Sequence, residues 1–404
     1  MIFVGIDWAT VHHDVCVMDE LGEVIDRLRI ANSLEGVRRV HSAVASLVEH
    51  PQDIVIGIET SLGLMPRAMV SAGYSVYAIN PLVSNRYRDR HTISRAKSDR
   101  ADAEMLANLV RTDRQNHRLF VPDSSLAENI KLLARAHQTL IWNRQRQANQ
   151  LREALSVFYP AALVAFGNDV ASRDAVAVLA RASTPAAGRR LTLAQLRSTL
   201  VRAGRQRNVD KRALAIQGAF RAEYLQVPTE VALAYGAIVR ANATVIAQLT
   251  EELSKIEAQL ATSFYQHEDS AILESLPGLG TVLAARVLGE FGDDKGRFSD
   301  ARARRNYAGT SPITRASGTK RVVVARFTRN DRLVDACDRW AFSSLNGSPG
   351  ARRYYDAKRK MGRTNGQALR ALANRWVGIL HGCLRHRQQY SEAVAWPAAL
   401  DIAA

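Results

Sequence analysis

The chain has 404 residues and a mass of 44.6 kDa. It carries 55 Lys and Arg against 39 Asp and Glu, a formal net charge of +16 with a pI near 10.2, and 47% of its residues are hydrophobic. That hydrophobic share excludes a disordered chain, and the length allows two or three domains, each able to bury a core without disulfides or structural metals. The surplus positive charge points to a polyanion, nucleic acid first and an anionic membrane surface second.

Cys16, Cys337 and Cys383 are odd in number, far apart and outside any metal-ligand spacing. This argues against a disulfide framework or a zinc module and suits a reducing cytoplasm. The opening MIFVGIDWATVHHD has no basic start and no cleavage-type end. No run reaches about 18 apolar residues, so no membrane crossing is expected. The bases are scattered through folded-looking segments rather than gathered in one polybasic tail, which disfavours the membrane surface.

Residues 2–6 are β-rich and end at Asp7; 13–18 form a second β run, and 24–30 complete a meander around the turn at Gly22. Ser33 caps a helix carrying Gly36, Val37, Val40, Val44 and Leu47 at helical spacing. A buried strand over 54–58 stops at Glu59. A helix near 62–71, a strand at 75–79 and Pro81 follow, then a basic stretch over 86–100 and a helix from about 99 to 111. The order predicts an α/β domain.

Four acids stand out. Asp7 and Glu59 close two strands, and Asp99 and Asp102 open a helix with one face in common. In an α/β sheet ligands gather at strand ends. Clustered carboxylates repel by roughly 4 kcal/mol per close pair at an effective dielectric of 20, so a cluster persists only with cations, and hard oxygens select Mg²⁺ or Mn²⁺. Two such ions about 3.5–4 Å apart stabilise the attacking and leaving oxygens of a phosphoryl displacement. Taken singly, each acid also reads as a turn former, a helix cap or a loop acid.

Together, Gly5-Ile6-Asp7, Gly57-Ile58-Glu59-Thr60 and Lys97-Ser98-Asp99-Arg100-Ala101-Asp102-Ala103 resemble the DEDD transposases of the insertion sequence 110 family, whose relatives include the Piv-type DNA invertases. The resemblance implies a RuvC-like, RNase H-type N-terminal domain with Asp7, Glu59, Asp99 and Asp102 as a Mg²⁺ tetrad. Gly-Ile-Asp alone also opens sugar kinases and actin-like ATPases; the Lys-Ser-Asp-x-x-Asp-Ala segment is the specific part.

Residues 126–158 show helical spacing with Arg, Gln and Asn between the apolar positions, and 160–230 are Ala- and Arg-rich helical text broken at Pro185, Gly188, Gly204 and Pro228. From Val239 a heptad runs through Asn242, Ile246, Leu249, Leu253, Ile256 and Leu260 to Ser263. By spacing this is a coiled coil or a long helix packed on its own domain; the resemblance favours a coiled coil that joins protomers. The expected domains are 1–120 (catalytic), 121–270 (helical, with heptads at 239–263) and 271–404 (mostly helical, with the second conserved region).

Pro277-Gly278-Leu279-Gly280 precedes an apolar helix, and such a turn can offer backbone N–H groups to a phosphate, as a helix-hairpin-helix does, or be a plain loop. Bases then dominate two stretches, 302–332 and 352–375, with Tyr307, Tyr354, Tyr355 and Trp376 among them. The candidate nucleic-acid contacts are Arg86, Arg88, Arg90, Arg95, Lys97, Gly278, Gly280, Arg304, Arg305, Arg315, Lys320, Arg321, Lys358, Arg359 and Lys360.

Tyr307-Ala308-Gly309-Thr310-Ser311-Pro312 and Arg315-Ala316-Ser317-Gly318-Thr319-Lys320, with Arg297-Phe298 and the Pro-Gly-Leu-Gly turn, resemble the same family's second conserved region. The resemblance maps its nucleophilic serine to Ser317. On chemistry alone, Ser311, Tyr354 and Tyr355 are also candidates, and Arg315, Lys320 and Arg321 could stabilise developing phosphate charge. The likeness covers about 2–112 and 274–376; it departs in the middle and at Asp7-Trp8-Ala9-Thr10, where many members have a Ser-Lys ending.

The expected function is a transposase or recombinase of a mobile element that cuts and rejoins DNA through a phosphoserine, assisted by two Mg²⁺ or Mn²⁺ ions. The resemblance also implies a structured guide RNA. A homo-oligomer, dimer or tetramer, in the cytoplasm at the nucleoid is expected. The alternatives are a RuvC-like Holliday-junction resolvase or nuclease using water, a sugar-kinase-like ATPase, for which no Asp-Gly-Gly-type loop is found, and a non-catalytic nucleic-acid-binding protein.

Overall fold

The computed structural model describes residues 1–60, 63–91, 98–327 and 329–397. The chain forms two compact units, Met1–Pro122 and Asp123–Ala404.

The first unit runs β1 (Ile2–Asp7), β2 (His12–Met18), β3 (Val24–Ala31), α1 (Leu34–Ala45), β4 (Ile54–Ile58), α2 (Leu64–Ser71), β5 (Ser75–Ala78), α3 (Pro81–His91) and α4 (Asp99–Asp113). The strands form one sheet in the order β3-β2-β1-β4-β5. β1 is antiparallel to β2, β2 to β3, while β4 lies parallel to both β1 and β5. Side chains alternate between the two faces of a strand, and the sheet carries a core on each face. Val4, Ile6, Val15, Val17, Ile56 and Ile58 form one core with Val40 and Val44 of α1 and Met65 and Met69 of α2. Phe3, Cys16 and Val55 form the other with Ala103, Leu106, Ala107 and Val110 of α4.

The meander and the helices capped by Ser33 and Ser98 follow the sequence pattern. Helix α3 does not, because its apolar periodicity is weak. It starts on local chemistry instead: Pro81 stands at the first position, where its missing N–H costs nothing, and Asn80 Oδ1 accepts the Leu82 N–H at 2.8 Å.

The second unit is helical apart from one hairpin. Its elements are α5 (Ser125–Phe158), α6 (Pro160–Phe166), α7 (Arg173–Arg181), α8 (Pro185–Arg190), α9 (Leu193–Arg202), α10 (Val209–Arg221), α11 (Thr229–Tyr265), α12 (Ser270–Glu274), α13 (Thr281–Phe291), α14 (Ala301–Tyr307), β6 (Ile313–Ser317), β7 (Lys320–Val324), α15 (Asp331–Ser344), α16 (Pro349–Lys360), α17 (Asn365–His386) and α18 (Glu392–Ala395). Helices α5 and α11 pair antiparallel: Asn129 Nδ2 donates to Ser263 Oγ at one end (2.9 Å), and the Phe158 and Tyr235 rings stack at the other (5.2 Å).

A core sits at each end of this pair. Leu151, Leu155 and Phe158 pack with Val239, Ala243, Ile246 and residues of α6–α10. Ile130, Ala134, Leu260 and Phe264 pack with Leu276, Leu288, Trp340 and Trp376. The expected boundary at 270 therefore runs beside a core that draws residues from both sides of it. The heptad positions Val239, Ile246, Leu253 and Leu260 are buried, on a helix that packs along α5 of the same chain.

Helix α11 is also long and apolar enough, by length and composition, to cross a membrane, which scanning for unbroken apolar runs did not anticipate. Its mean hydropathy comes from interspersed Ala, Val, Ile and Leu, and the same helix carries Glu251, Glu252 and Lys255.

Candidate functional site

Two glycines let a helix of the first unit lie close to the strands that carry Asp7 and Glu59 at their ends. Gly5 of β1 is in register with Gly57 of β4. A Cβ on Gly5 would overlap the Ala103 carbonyl and stand 2.5 Å from the Ala107 amide nitrogen; one on Gly57 would stand 2.8 Å from the Leu106 carbonyl oxygen. Helix α4 thus lies across β1 and β4 at backbone contact. Asp7 follows Gly5 by two residues and Glu59 follows Gly57 by two, so period-two alternation points both acids to the face that α4 covers. The register Ile6↔Ile58 sets them side by side at the ends of parallel strands.

Asp102 precedes Ala103 and is buried, with Arg88 Nη2 of α3 against its Oδ1 at 2.6 Å. Glu59 accepts the hydroxyl of buried Ser84, also on α3. Asp99 is exposed in the first turn of α4, where an acid complements the helix dipole.

Sequence reasoning missed Ser84 and Asp14 here, and read Arg88 as a nucleic-acid contact instead. Arg88 and Ser84 lie on the helix that the pattern did not reveal. Asp14, directly across β2 from Asp7, is also buried; cross-strand partners share a face and like charges there repel. Its signal was a strand-pairing register, which only the meander geometry supplies. His13 is fully buried and its Nδ1 accepts the Ala9 N–H at 3.3 Å, shaping the loop after Asp7. Burial holds its imidazole below the ordinary histidine value, despite a hydrogen bond with Asn32.

The acids fit a hard divalent cation in kind, being oxygen donors. As the side chains stand, with Asp102 on Arg88 and Glu59 on Ser84, no group of three or more His, Cys, Asp or Glu among the described residues is close enough to hold a metal ion.

In the second unit, Ser317 ends β6 and pairs with Lys320 of β7 across the turn Gly318-Thr319. Gly318 has φ +55°, the left-handed value that a two-residue hairpin with glycine first requires. Nearly every residue of this ribbon is exposed, including Arg315, Ser317, Lys320 and Arg321. Its roots are tied down. Thr310 Oγ1 and Ser311 Oγ donate to Asn374 Oδ1 (3.1 and 3.3 Å), Arg326 Nη2 donates to Asn306 Oδ1 (3.1 Å), and Asn330 Nδ2 donates to Glu290 Oε2 (2.6 Å). Glu290 in turn accepts Arg135 Nε and Nη2 at 2.7 and 2.8 Å.

The other candidate nucleophiles are engaged. Ser311 bonds Asn374, Tyr355 donates to Asn365 Oδ1 at 2.9 Å, and Tyr354 packs on Trp396, where burial pushes its phenol above the ordinary value. Ser317 alone of the four stands at an exposed tip.

The candidate nucleic-acid contacts divide. Arg86, Arg90, Arg359 and Lys360 are exposed, while Lys358 lies over the Tyr354 ring. Arg88 is turned to Asp102 instead of outward. Arg95 and Lys97 lie outside the described residues. Arg304 is buried, its guanidinium over the Phe291 and Phe298 rings, and Arg305 packs against Gly378. At the Pro-Gly-Leu-Gly turn, Gly278 (φ +83°) is needed because a Cβ would stand 2.5 Å from the Ser344 amide nitrogen. Gly280 is exposed at the start of α13. The neighbouring Thr281 hydroxyl donates to Glu274 at 3.0 Å, so a carboxylate already stands at that helix terminus.

Two family models match the chain: a transposase model, the DEDD group of IS110, over residues 4–160, and the transposase IS116/IS110/IS902 family over residues 270–356. The chain is 45% identical to the Streptomyces coelicolor mini-circle protein assigned as the transposase for IS117, covering 100% of this chain and 98% of the relative. It is 28% identical to the IS110 43.6 kDa protein of the same organism, again over 100% and 98%, and 29% identical to the IS116 44.8 kDa protein of Streptomyces clavuligerus, over 97% and 96%. With matches at both the acid-bearing and serine-bearing ends and a full-length relative at this identity, the chain belongs to the IS110 family of transposases.

Proposed function

We propose that this transposase cuts and rejoins DNA through a covalent phosphoserine at Ser317. The observation that carries this reading is the glycine-set approach of α4 to β1 and β4, which brings together the segments that carry Asp7, Glu59 and Asp102. The exposed, glycine-turned position of Ser317 between Arg315 and Lys320 adds to it. The mixed sheet, with β1 between an antiparallel and a parallel neighbour, supports the RuvC-like, RNase H-type fold that the resemblance implies.

In the forward step the Ser317 Oγ–P bond forms as the P–O bond to one flanking nucleotide breaks. The serine proton leaves and the departing nucleotide oxygen takes one up. Attack by a second DNA end reverses the exchange, so the phosphodiester is re-formed without ATP. Mg²⁺ or Mn²⁺, as two ions held by Asp7, Glu59, Asp99 and Asp102, would supply Lewis-acid stabilisation of the phosphate charge. Arg315, Lys320 and Arg321 neutralise the phosphate at the ribbon.

The acids belong to one unit and the serine to the other, so the chemistry requires both on one phosphate, within a protomer or across two. A structured RNA guide is part of this reading: base pairing would read sequence while the basic surfaces hold backbone. Assembly into a dimer or tetramer is supported by a second heptad stripe on α11, Val231, Ala234, Ile238, Ala241 and Val245, every residue of which is exposed.

The test incubates element-end DNA, the element's RNA and Mg²⁺ with wild type, Ser317→Ala and Asp102→Ala, and looks for a protein–DNA adduct. The adduct is expected in wild type alone. An undiminished adduct in Ser317→Ala overturns the nucleophile, and normal cutting without an adduct replaces it with water.

A further inference from the structure

We propose that the cavity between the loop 292–300 and helix α17 is a phosphate-binding site. The cavity holds about 480 Å³ and is lined by Asp269, Asp293, Asp294, Arg304, His381 and Arg385, among others. Its deepest cation is Arg304, only 8% exposed. Phe291 and Phe298 lie 5.0 and 4.6 Å from the guanidinium and offer cation–π attraction. Rings accept no ordinary hydrogen bonds, and both Nε and Nη1 of Arg304 are buried without an acceptor. His381, 9% exposed, leaves its buried Nε2 without a partner as well. A buried charge with unmade hydrogen bonds is among the costliest features a fold can hold, and Arg304 lines this cavity beside His381, whose ring burial favours in its neutral form.

The acids around the cavity do not meet this need, because each already has its donors. Asp269 takes the Arg387 guanidinium; Asp293 accepts the Ser124 N–H at 3.0 Å and faces His267; Asp294 accepts the Gly296 N–H at 2.9 Å. Two of the bases are likewise matched, since Glu268 pairs with Lys295 at 3.1 Å and Arg387 at 3.4 Å. That leaves Arg304 on the floor, His381 beside it and exposed Arg385 at the rim. Burial pulls Arg304 down to about 10, with Asp269 pushing the other way, so it stays charged at neutral pH.

A guanidinium fork, an imidazole and a second guanidinium suit a tetrahedral oxyanion with several acceptors. The cavity is wide enough for a phosphate ester as well as the bare ion. The phosphate would come either from the backbone of a bound nucleic acid or from solution.

The test uses the full chain. Inorganic phosphate is titrated by calorimetry against chloride of matched ionic strength, in wild type, Arg304→Gln and Arg385→Ala. Saturable one-to-one binding is expected in wild type, weakened at least about ten-fold in each variant. Arg385 is exposed, so its variant keeps the fold even if Arg304→Gln does not. A second arm measures DNA affinity by fluorescence anisotropy. If the seat takes backbone phosphate, inorganic phosphate competes with DNA and Arg385→Ala weakens DNA binding; if it takes free phosphate, DNA affinity is unchanged while phosphate binding falls. No saturable binding in wild type, or binding in both variants as tight as in wild type, overturns the site and leaves a merely hydrated cavity. The first arm involves no strand cutting, so its outcome is independent of the phosphoserine chemistry.

Discussion

Replacing Gly5 by alanine tests the packing that gathers the acids. The added carbon would stand 2.5 Å from the Ala107 amide nitrogen and overlap the Ala103 carbonyl, where ordinary contact begins at 3.4 Å. Helix α4 must therefore retreat from β1 by about 0.9 Å to clear the Ala107 amide and by roughly 1.6 Å to clear the Ala103 carbonyl. Both obstacles are backbone, so no side chain can rotate away, and the cost should lie at the upper end of the overpacking range, about 3 kcal/mol. Asp102 moves with α4 away from Asp7, and a misplacement of about 1 Å at a reacting centre can cost about 10²-fold in rate. Hydrogen–deuterium exchange over β1 and α4 reads the stability, and adduct yield reads the chemistry. Gly57→Ala, whose nearest obstacle is at 2.8 Å, should cost less, and Gly218→Ala, which meets nothing within 4 Å, should leave both readouts near wild type. If Gly5→Ala matches Gly218→Ala in exchange and in yield, close packing at Gly5 does not build the site.

Glu290→Gln should destabilise the second unit by about 1–2 kcal/mol at pH 7, since it removes a charge-assisted hydrogen bond to the partly exposed Arg135. Burial pushes the Glu290 carboxyl up, but hydrogen bonds from Arg135 and Asn330 outweigh it and hold the group below its ordinary 4.5. The contribution is therefore complete above about pH 4.5 and lost as pH falls through the lower folded-state value; a gap between wild type and Glu290→Gln in urea midpoint that does not narrow on acidification would contradict the pairing. Ile246→Ala, in the buried seam, should cost about 3 kcal/mol without changing mass in light scattering, whereas Ile238→Glu, on the exposed stripe, should split the oligomer while leaving thermal unfolding nearly unchanged. Converting Arg315, Lys320 and Arg321 to alanine singly should each lower the slope of log K against log salt by about 0.9 for duplex DNA; unchanged slopes would remove the ribbon from the nucleic-acid surface.

Much of the first unit was legible because period-two and period-3.6 patterns survive in short, well-capped elements. Ser33 marks a helix start, and the run 54–58 marks a strand buried on both faces. Helix α3 was hidden, since its start depends on Asn80 and Pro81 rather than on an apolar stripe. The ribbon around Ser317 was hidden as well. Its side chains are exposed on both faces, so no alternation signals it, and the Gly318 turn reads in sequence as an ordinary loop. The heptad from Val239 to Ser263 gave the seam correctly, but a seam does not name its partner, and here α5 of the same chain supplies one.

By itself the sequence determined the surplus of positive charge, the acids at strand and helix ends and the family motifs, because these depend on residue type and spacing along the chain. Tertiary structure alone decided which charges face outward. Arg88 turns to Asp102, and Arg304 lies over two phenylalanine rings, although both stand in runs of bases that look alike in sequence. The reason is that a charge is placed by the packing of the element that carries it. Whether an arginine holds DNA, balances a buried acid or lines a cavity depends on which face its helix presents to neighbours brought together from distant parts of the chain.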